Sequence, residues 1–339
     1  MLKRILAAAF AVLMIFAVGC DQTVVYDDLS DYETESSVEP TLLVNPLTGV
    51  ADISEDAVSR RPVAIMVNNV STAQKVQTGV TDADIVYETE VEGGITRLMA
   101  VYQDITGLDK IGSVRSARYP YVDLAMGHDA IYVHCGQDPT YCAPHLKDVD
   151  DLSIDTKSKG AKRISNGLSS EHTLYALAGD LWENISDTFK TKATVTDAWA
   201  NFTDEQLTLD GGTAESVSIP FPTQTESFTY DASTGLYTRL LGGAVATDYF
   251  TDEQVQVKNV FVLLTTISNY PDGKHRKVEL GSGDGYYVTN GTVQFIKWSK
   301  GDASNGFKFT DSEGKEIKVS TGKSWVCIAD KSTCTPVIE

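Results

Sequence analysis

The chain has 339 residues, of which 42% are hydrophobic and 22% are charged, and this composition excludes a wholly disordered chain and a membrane protein of many spans. Forty-seven acidic residues against 28 basic ones give a formal net charge of −19, which opposes non-specific attraction to nucleic acids and to anionic lipids. At roughly 100 to 200 residues per domain, the length suggests two globular domains, and binding to nucleic acid is disfavoured.

The first twenty residues have the pattern of a targeting segment. Lys3 and Arg4 precede an apolar run over residues 5–18, which is shorter than the roughly 20 residues of a membrane span. Ala17-Val18-Gly19-Cys20 resembles the cleavage site of bacterial lipoproteins, in which the cysteine is lipidated. An ordinary secretory signal is the alternative, because the residues at 17 and 19 are small. We expect a signal peptide over residues 1–19 and a lipid anchor at Cys20 that holds the protein on the extracytoplasmic face of the cell membrane.

Residues 20–59 are acidic. From Asp21 to Ser59 the chain contains ten acidic residues and no Lys or Arg, with few large apolar residues. Such a segment buries too little apolar surface to offset its chain entropy, and its like charges extend it. The pattern predicts a disordered tether between the anchor and the folded part.

Strand and helix patterns alternate over residues 60–205. Short apolar runs typical of buried strands occupy residues 63–67, 95–102 and 130–133. Helical spacing covers residues 120–126, with Gly127 as a stop, and residues 172–185. The alternation predicts an α/β N-terminal module.

The pattern changes over residues 214–339, where short β-type runs are separated by turn residues. Asn290-Gly291 is a strong hairpin signal, because a type I′ turn needs two residues that tolerate positive φ. We predict a mostly antiparallel β C-terminal module with strands over residues 217–221, 227–230, 236–241, 260–267, 277–280, 286–289, 292–298, 307–310, 317–319 and 324–328.

Basic residues cluster at predicted strand ends within this acidic chain. Ligands of α/β folds bind at such ends, and guanidinium groups pair bidentately with carboxylate or phosphate. An internal ion network with the glutamates at 88, 90 and 92 is the alternative. The predicted anion-binding residues are Arg97, Arg115, Ser116 and Arg118, with His134 as a further ligand contact.

Two histidines are candidates for acid–base chemistry. His134 follows a predicted strand and His172 opens a predicted helix, and with Glu92 they form a set that transfers protons or contacts a ligand. Structural histidines with hydrogen-bonded rings are the alternative, which leaves open whether the protein is an enzyme.

The remaining cysteines form two pairs with six intervening residues. In an exported protein this spacing favours two local disulfides, Cys135 with Cys142 and Cys327 with Cys334. A zinc site is the weaker alternative, because the spacing is wider than zinc motifs use; its ligands would be His134, Cys135, Cys142 and His145. We expect no metal and no cofactor.

Several motifs in chain order resemble the YerB-like bacterial lipoproteins. That resemblance implies an extracytoplasmic lipoprotein with two consecutive modules and no assigned activity. Two positions depart from the family pattern, namely Cys135 after His134 and the pair Glu171-His172. The motifs are Asn45-Pro46-Leu47-Thr48-Gly49, residues 61–69, residues 83–88, residues 92–97, residues 114–118, Tyr132-Val133-His134 and Gly322-Lys323-Ser324-Trp325.

The sequence thus predicts a binding lipoprotein whose N-terminal module recognises an anionic or polar component of the cell envelope, such as a cell-wall polymer or an envelope protein. An envelope hydrolase or transferase that uses the histidines and Glu92 is the first alternative. An adaptor whose β module docks another envelope protein is the second.

Overall fold

The computed structural model describes residues 42–192 and 198–339. The predicted signal peptide, Cys20 and most of the acidic tether lie outside the described residues. Within the described ranges, no helix is long and apolar enough to cross a membrane.

Short strands make up most of the regular structure in the N-terminal half. These strands are β1 (Leu43–Val44), β2 (Ala51–Ile53), β3 (Val63–Asn68), β4 (Ile85–Glu90), β5 (Thr96–Tyr102), β6 (Lys110–Gly112), β7 (Ile131–His134), β8 (Asp151–Ser153), β9 (Ala161–Arg163), β10 (Leu174–Leu177) and β11 (Phe202–Thr203).

The C-terminal half is built from strands and turns. Its strands are β12 (Ser216–Pro220), β13 (Thr225–Asp231), β14 (Leu236–Leu241), β15 (Ala244–Val245), β16 (Gln256–Val257), β17 (Asn259–Thr265), β18 (Ile267–Asn269), β19 (Arg276–Val278), β20 (Ser282–Thr289), β21 (Thr292–Ser299), β22 (Lys308–Thr310), β23 (Val319–Ser320), β24 (Ser324–Asp330) and β25 (Val337–Ile338).

The helices are short and lie in the N-terminal half. They are α1 (Glu55–Val58), α2 (Ser71–Gln74), α3 (Tyr119–Met126), α4 (Ala178–Asn184) and α5 (Asp187–Lys190), with 3-10 turns at Glu92–Gly94, Ala143–Asp148 and Ser170–His172. Helix α3 begins after Arg118 with Pro120 in its first turn, a position where the missing N–H of proline costs nothing. Its end at Gly127 agrees with the helix predicted over residues 120–126.

One ten-stranded sheet contains strands from both halves of the chain, in the order β22-β21-β20-β17-β24-β4-β5-β3-β7-β8. The halves join where β24 pairs in parallel with β4, with Ser324 opposite Ile85. Residues 41–339 accordingly form a single compact unit. The boundaries that the sequence predicts for two modules, 60–205 and 214–339, remain predictions.

Seven strands of this sheet run in the same direction, namely β3, β4, β7, β8, β17, β21 and β24. Their last residues therefore lie along one edge, which we call the carboxyl edge. All six residues of β3 are buried, as expected for a strand that is covered on both faces and therefore has a continuous apolar sequence. The polar residues that follow these strands meet at the carboxyl edge.

Different layers cover the two faces of the sheet. A six-stranded sheet formed by β12 to β16 and β25 packs on one face, where Phe228 contacts Trp325 with ring centroids 5.6 Å apart. Helix α3 packs on the other face through Tyr121, Val122 and Leu124. The site described below lies where the start of α3 meets the carboxyl edge.

The structure corrects one helix and refines the fold class. The helix predicted over residues 172–185 begins only at Ala178, because Leu174–Leu177 forms strand β10, which pairs with β6 and β9. The N-terminal half is strand-rich with short helices, so the α/β arrangement predicted for it is not clearly present. The C-terminal half is mostly antiparallel, as predicted, and Asn290 and Gly291 have φ of 51° and 71° in the predicted hairpin between β20 and β21.

Candidate binding site at the carboxyl edge

A narrow pocket of about 260 Å³, including the space open to solvent, lies at the carboxyl edge beside the end of β4. The start of α3 forms one wall, and a segment from the C-terminal half that includes the start of β19 forms another. We call it the edge pocket. Its lining consists of Glu90, Val91, Glu92, Arg118, Tyr119, Pro120, Asp138, Tyr141, Tyr270, His275 and Arg276.

Glu92 and Arg118 form an ion pair in the wall of the edge pocket. Arg118 Nε donates to Glu92 Oε2 at 2.7 Å, and Arg118 Nη2 contacts Glu92 Oε1. Arg97 lies behind this pair, with Nη2 3.7 Å from Glu92 Oε1 and Nη1 donating to the Ser116 carbonyl at 2.6 Å. For Arg97 and Arg118, the structure thus shows the internal ion network that the sequence left as an alternative.

The charges of this network shift its pKa values. Burial raises the pKa of Glu92, but the hydrogen bond from Arg118 and the charges of Arg97 and Arg118 outweigh it and hold the pKa at about 2. Burial, together with the nearby charge of Arg118, lowers the pKa of Arg97 to about 10. At neutral pH all three side chains are charged.

A second ion pair joins the two halves of the chain inside the pocket. Arg276 Nη2, at the start of β19, lies 3.1 Å from Glu90 Oε2, at the end of β4. Glu90 is only 2% exposed, and burial raises the pKa of its carboxyl despite the charge of Arg276. Among the described residues, neither Glu90 Oε2 nor Arg276 Nε has a partner in hydrogen-bond geometry. The pocket therefore presents one unsatisfied N–H donor, Arg276 Nε, and one carboxylate oxygen, Glu90 Oε2, that is paired only with the same guanidinium group.

The remaining wall is formed by an aromatic pair and a paired carboxylate. The Tyr141 and Tyr270 rings stack with centroids 3.9 Å apart and planes 15° apart. Asp138 accepts hydrogen bonds from the backbone N–H of Tyr141 and Cys142, and His275 Nε2 lies 3.3 Å from its Oδ1. Two backbone N–H groups and the ring of His275 thus surround the Asp138 carboxylate.

Arg115 does not line the edge pocket. Its Nη2 lies 3.4 Å from Glu171 Oε2 and its Nη1 donates to the Glu171 carbonyl at 3.2 Å, while its side chain is 22% exposed. Ser116 also lies outside the lining and contributes its carbonyl to Arg97. The fold thus brings together three of the predicted residues, Glu92, Arg97 and Arg118. Arg115 instead pairs with Glu171 outside the pocket.

The two histidines are held away from the edge pocket. His134 is fully buried, with Nδ1 2.8 Å from the Gly136 carbonyl and Nε2 3.0 Å from Asp151 Oδ2. His172 Nδ1 accepts from Asn68 Nδ2 at 2.7 Å. Neither ring is in the pocket lining that contains Glu92, so the structure does not assemble the predicted acid–base set.

The cysteines at 135, 142, 327 and 334 are free thiols in the structure, which does not support the two predicted disulfides. Cys135 and Cys142 pack against apolar clusters on opposite faces of the main sheet, whereas Cys327 and Cys334 share one cluster. Across residues 42–192 and 198–339, no group of three or more His, Cys, Asp or Glu side chains is arranged to hold a metal ion, so the zinc alternative is not supported either.

Sequence reasoning missed the pocket residues that follow β7 or belong to the C-terminal half. A local pattern does not show that Arg276 meets Glu90, because the contact depends on pairing between distant strands. One local feature could have drawn attention to His275 and Arg276. They are adjacent basic residues after a turn, in a chain that is otherwise acidic. The missed residues are Asp138, Tyr141, Tyr270, His275 and Arg276.

Fold and site together define a strand-rich protein in which two consecutive segments share one sheet and build one pocket. Two family models match these segments, "Protein of unknown function (DUF3048) N-terminal domain" over residues 47–193 and the corresponding C-terminal domain over residues 217–326. The chain belongs to this two-module, YerB-like family, which confirms the resemblance found in the sequence.

A relative and a solved structure agree with this assignment. The chain is 29% identical over 293 residues to "Putative lipoprotein YerB" of Bacillus subtilis (strain 168), a match that covers 84% of this chain and 85% of the relative. It is similar to the crystal structure of the YerB protein from Bacillus subtilis, with a TM-score of 0.73, 26% identity, and coverage of 87% of this chain and 99% of that chain. Neither name states an activity.

Proposed function

We propose that this protein is a lipoprotein, anchored at the extracytoplasmic face of the membrane, that binds an anionic or polar component of the cell envelope in the edge pocket. The observation that carries the proposal is Arg276 Nε, a buried N–H donor without a hydrogen-bond partner, beside the ion-paired Glu90 Oε2 in a pocket that opens to solvent. Buried polar atoms without partners are rare in folded proteins, and a ligand group is one way to satisfy them.

The free atoms define the chemistry of the ligand. Arg276 Nε–H donates to a carboxylate or phosphate oxygen, and Glu90 Oε2 accepts from an adjacent hydroxyl or ammonium group. Two of the other carboxylates of the pocket already have hydrogen-bond partners, because Glu92 is paired with Arg118 and Asp138 accepts from two backbone N–H groups. The ligand that fits best has an anionic group next to a hydrogen-bond donor.

The small size of the pocket suits one end of a larger molecule. Its enclosed space is only about 10 Å³, room for about one water-sized group, whereas pockets that enclose a whole drug-sized ligand have about 300 to 1,000 Å³. A single terminal atom, such as one oxygen of a carboxylate or phosphate group, enters the edge pocket while the rest of the polymer stays outside. This mode of binding needs a protein held close to the wall, which a lipid anchor provides.

The lipid anchor is supported by the cleavage motif at Cys20 and by the name of the Bacillus subtilis relative. A Cys20→Ala variant would lose its lipid and should move from the membrane fraction to the soluble extracytoplasmic fraction. Unchanged membrane retention of an exported Cys20→Ala protein would overturn the anchor.

The binding proposal is tested by cosedimentation of the purified full-length chain with intact cell walls and with walls stripped of their anionic polymers. We expect saturable binding to intact walls and little binding to the stripped walls, because the anionic group that pairs with Arg276 is then missing. Equal binding to both wall preparations would overturn recognition of an anionic component. No observation in the structure favours the hydrolase or transferase alternative.

A further inference from the structure

A second cleft lies on the sheet face that carries α3, away from the edge pocket. It runs between the end of α3, residues 198–199 and the loop over residues 300–307, and its volume is about 1680 Å³, including the space open to solvent. Leu47, Trp199 and Phe307 give it an apolar floor. We call it the helix-face cleft.

Gln103 contributes a hydrogen-bond acceptor to this cleft. Its Nε2 donates to the carbonyls of Ala57 at 3.0 Å and Arg60 at 2.8 Å, which fixes the amide orientation because two carbonyls cannot face the amide oxygen. The side chain is only 2% exposed, and its Oε1 has no hydrogen-bond partner among the described residues. Gln103 thus offers a buried acceptor to any donor that enters.

His128 contributes a hydrogen-bond donor. Trp199 Nε1 donates to the Tyr87 hydroxyl at 3.1 Å, and the hydroxyl oxygen lies 2.8 Å from His128 Nε2. Burial, with a smaller contribution from the charge of Lys300, lowers the pKa of His128 to about 3, so the ring is neutral at neutral pH. A neutral ring that accepts the Tyr87 hydroxyl proton at Nε2 carries its own proton on Nδ1, and we assign this tautomer. His128 lines the cleft.

The charged groups deep in the cleft already have ion-pair or hydrogen-bond partners within the protein. Asp129 Oδ1 pairs with Arg61 Nη2 at 2.9 Å. Lys300 is buried, and its Nζ donates to the carbonyls of Asp302 and Ala303. Gln103 and His128 offer uncharged polar atoms inside the cleft. Exposed polar side chains also line it, namely Ser282, Ser299, Ser304, Asn305 and Lys308.

We propose that the helix-face cleft binds an uncharged ligand that carries a secondary amide, with the amide N–H donating to Gln103 Oε1 and the amide C=O accepting from His128 Nδ1–H. The substituents of the amide pack on the apolar floor. The same chemistry occurs in acetamido sugars and in blocked peptides. The site is separate from the edge pocket and does not depend on the function proposed for it.

The test compares three uncharged probes on the full-length chain by isothermal titration calorimetry: an N-acetylglucosamine oligomer, an N-acetyl amino acid N-methylamide, and a glucose oligomer without an amide. Binding of either amide probe, but not of the glucose oligomer, is the expected result, and the amide probe that binds identifies the source. Absence of saturable binding by both amide probes, or equal binding of the glucose oligomer, would overturn the proposal and leave water as the occupant.

A matched pair of variants locates the binding. Gly281 lines the cleft, and a Cβ added there meets no atom within 4 Å, so Gly281→Trp fills the cleft without a clash at the backbone. Gly107 is equally open but does not line the cleft, and Gly107→Trp is the control. We expect at least a tenfold loss of amide binding for Gly281→Trp and none for Gly107→Trp or for Arg276→Gln in the edge pocket. Amide binding that survives in Gly281→Trp would contradict the location.

Discussion

Arg276 Nη2 lies 3.1 Å from Glu90 Oε2, so a side chain of the C-terminal half closes over the last residue of a strand of the N-terminal half. The contact exists because β24 pairs in parallel with β4 and brings the two halves into one sheet. The edge pocket is therefore a property of the whole chain, and neither family domain contains it alone.

A buried arginine should make a large contribution to stability where the six-stranded sheet packs on the main sheet. Arg239 and Glu226 are fully buried, with Nε and Nη2 donating to the two carboxylate oxygens at 2.7 and 2.8 Å, and Arg239 lies 4.5 Å from the Trp325 ring centroid. Arg239→Ala leaves the Glu226 charge buried without its partner and should lower the free energy of unfolding by about 3 to 5 kcal/mol. Urea denaturation measures this. Arg163→Ala, at an exposed site, is the control, and an equal effect of both changes would contradict the account.

The ion pair of Glu92 predicts acid sensitivity. The pKa of Glu92 is about 2 in the folded chain, below its ordinary value of 4.5. The ion pair therefore stabilises the fold fully at a pH above 4.5, and this contribution is lost as the pH falls towards 2. The difference in unfolding free energy between the unmodified protein and Glu92→Gln should shrink from about pH 5 to about pH 2. Denaturation at a series of pH values tests this, and a difference that does not change with pH would argue against the pair.

The sequence indicated the elements whose signal is local. Strand β3 has a continuous apolar run, α3 has Pro120 at its start, and the hairpin at Asn290-Gly291 needs only two adjacent residues. The apolar spacing over residues 172–185 was ambiguous, because Leu174–Leu177 is stabilised as a strand by pairing with β6 and β9, which a local pattern does not show.

The candidate site, too, was predictable from the sequence only where the signal is local. The arginines at 97 and 118 lie at strand and helix ends, as their positions suggested, and Glu92 lies between them. Their role as an internal network depends on distances that only the fold sets. Arg276 and Tyr270 reach the pocket through the sheet shared by both halves, and no periodicity in the sequence encodes that pairing.

His134 should act as a structural residue. Its ring lies between the Gly136 carbonyl and Asp151, whose side chain is 29% exposed. His134→Leu should lower the free energy of unfolding by about 1 to 3 kcal/mol, the cost of buried hydrogen bonds left unmade, and should leave binding to cell walls unchanged. Thermal denaturation and cosedimentation measure the two effects. Normal stability with abolished binding would instead make His134 a ligand contact.

The cysteines should differ in their redox chemistry. All four cysteines that the structure describes are free thiols. Cys334 lies near enough to raise the pKa of Cys327, so we expect this pair to close in an oxidising compartment, whereas Cys135 and Cys142 pack on opposite faces of the sheet. Intact-mass analysis of the exported chain should show a loss of about two daltons, equivalent to one disulfide. Peptide mapping should link Cys327 to Cys334, and a link between Cys135 and Cys142 would contradict the placement of these two thiols.

The central claim, that the edge pocket binds an anionic group, is tested most directly by calorimetric titration of the full-length chain with a purified anionic cell-wall polymer. Arg276→Gln removes the free Nε–H donor and should weaken binding by about tenfold or more, because a charge-assisted hydrogen bond contributes roughly 1.5 to 3 kcal/mol. The exposed-site variant Arg163→Gln should bind as the unmodified protein does. Equal affinities for all three proteins, with Arg276→Gln folded normally, would contradict the claim.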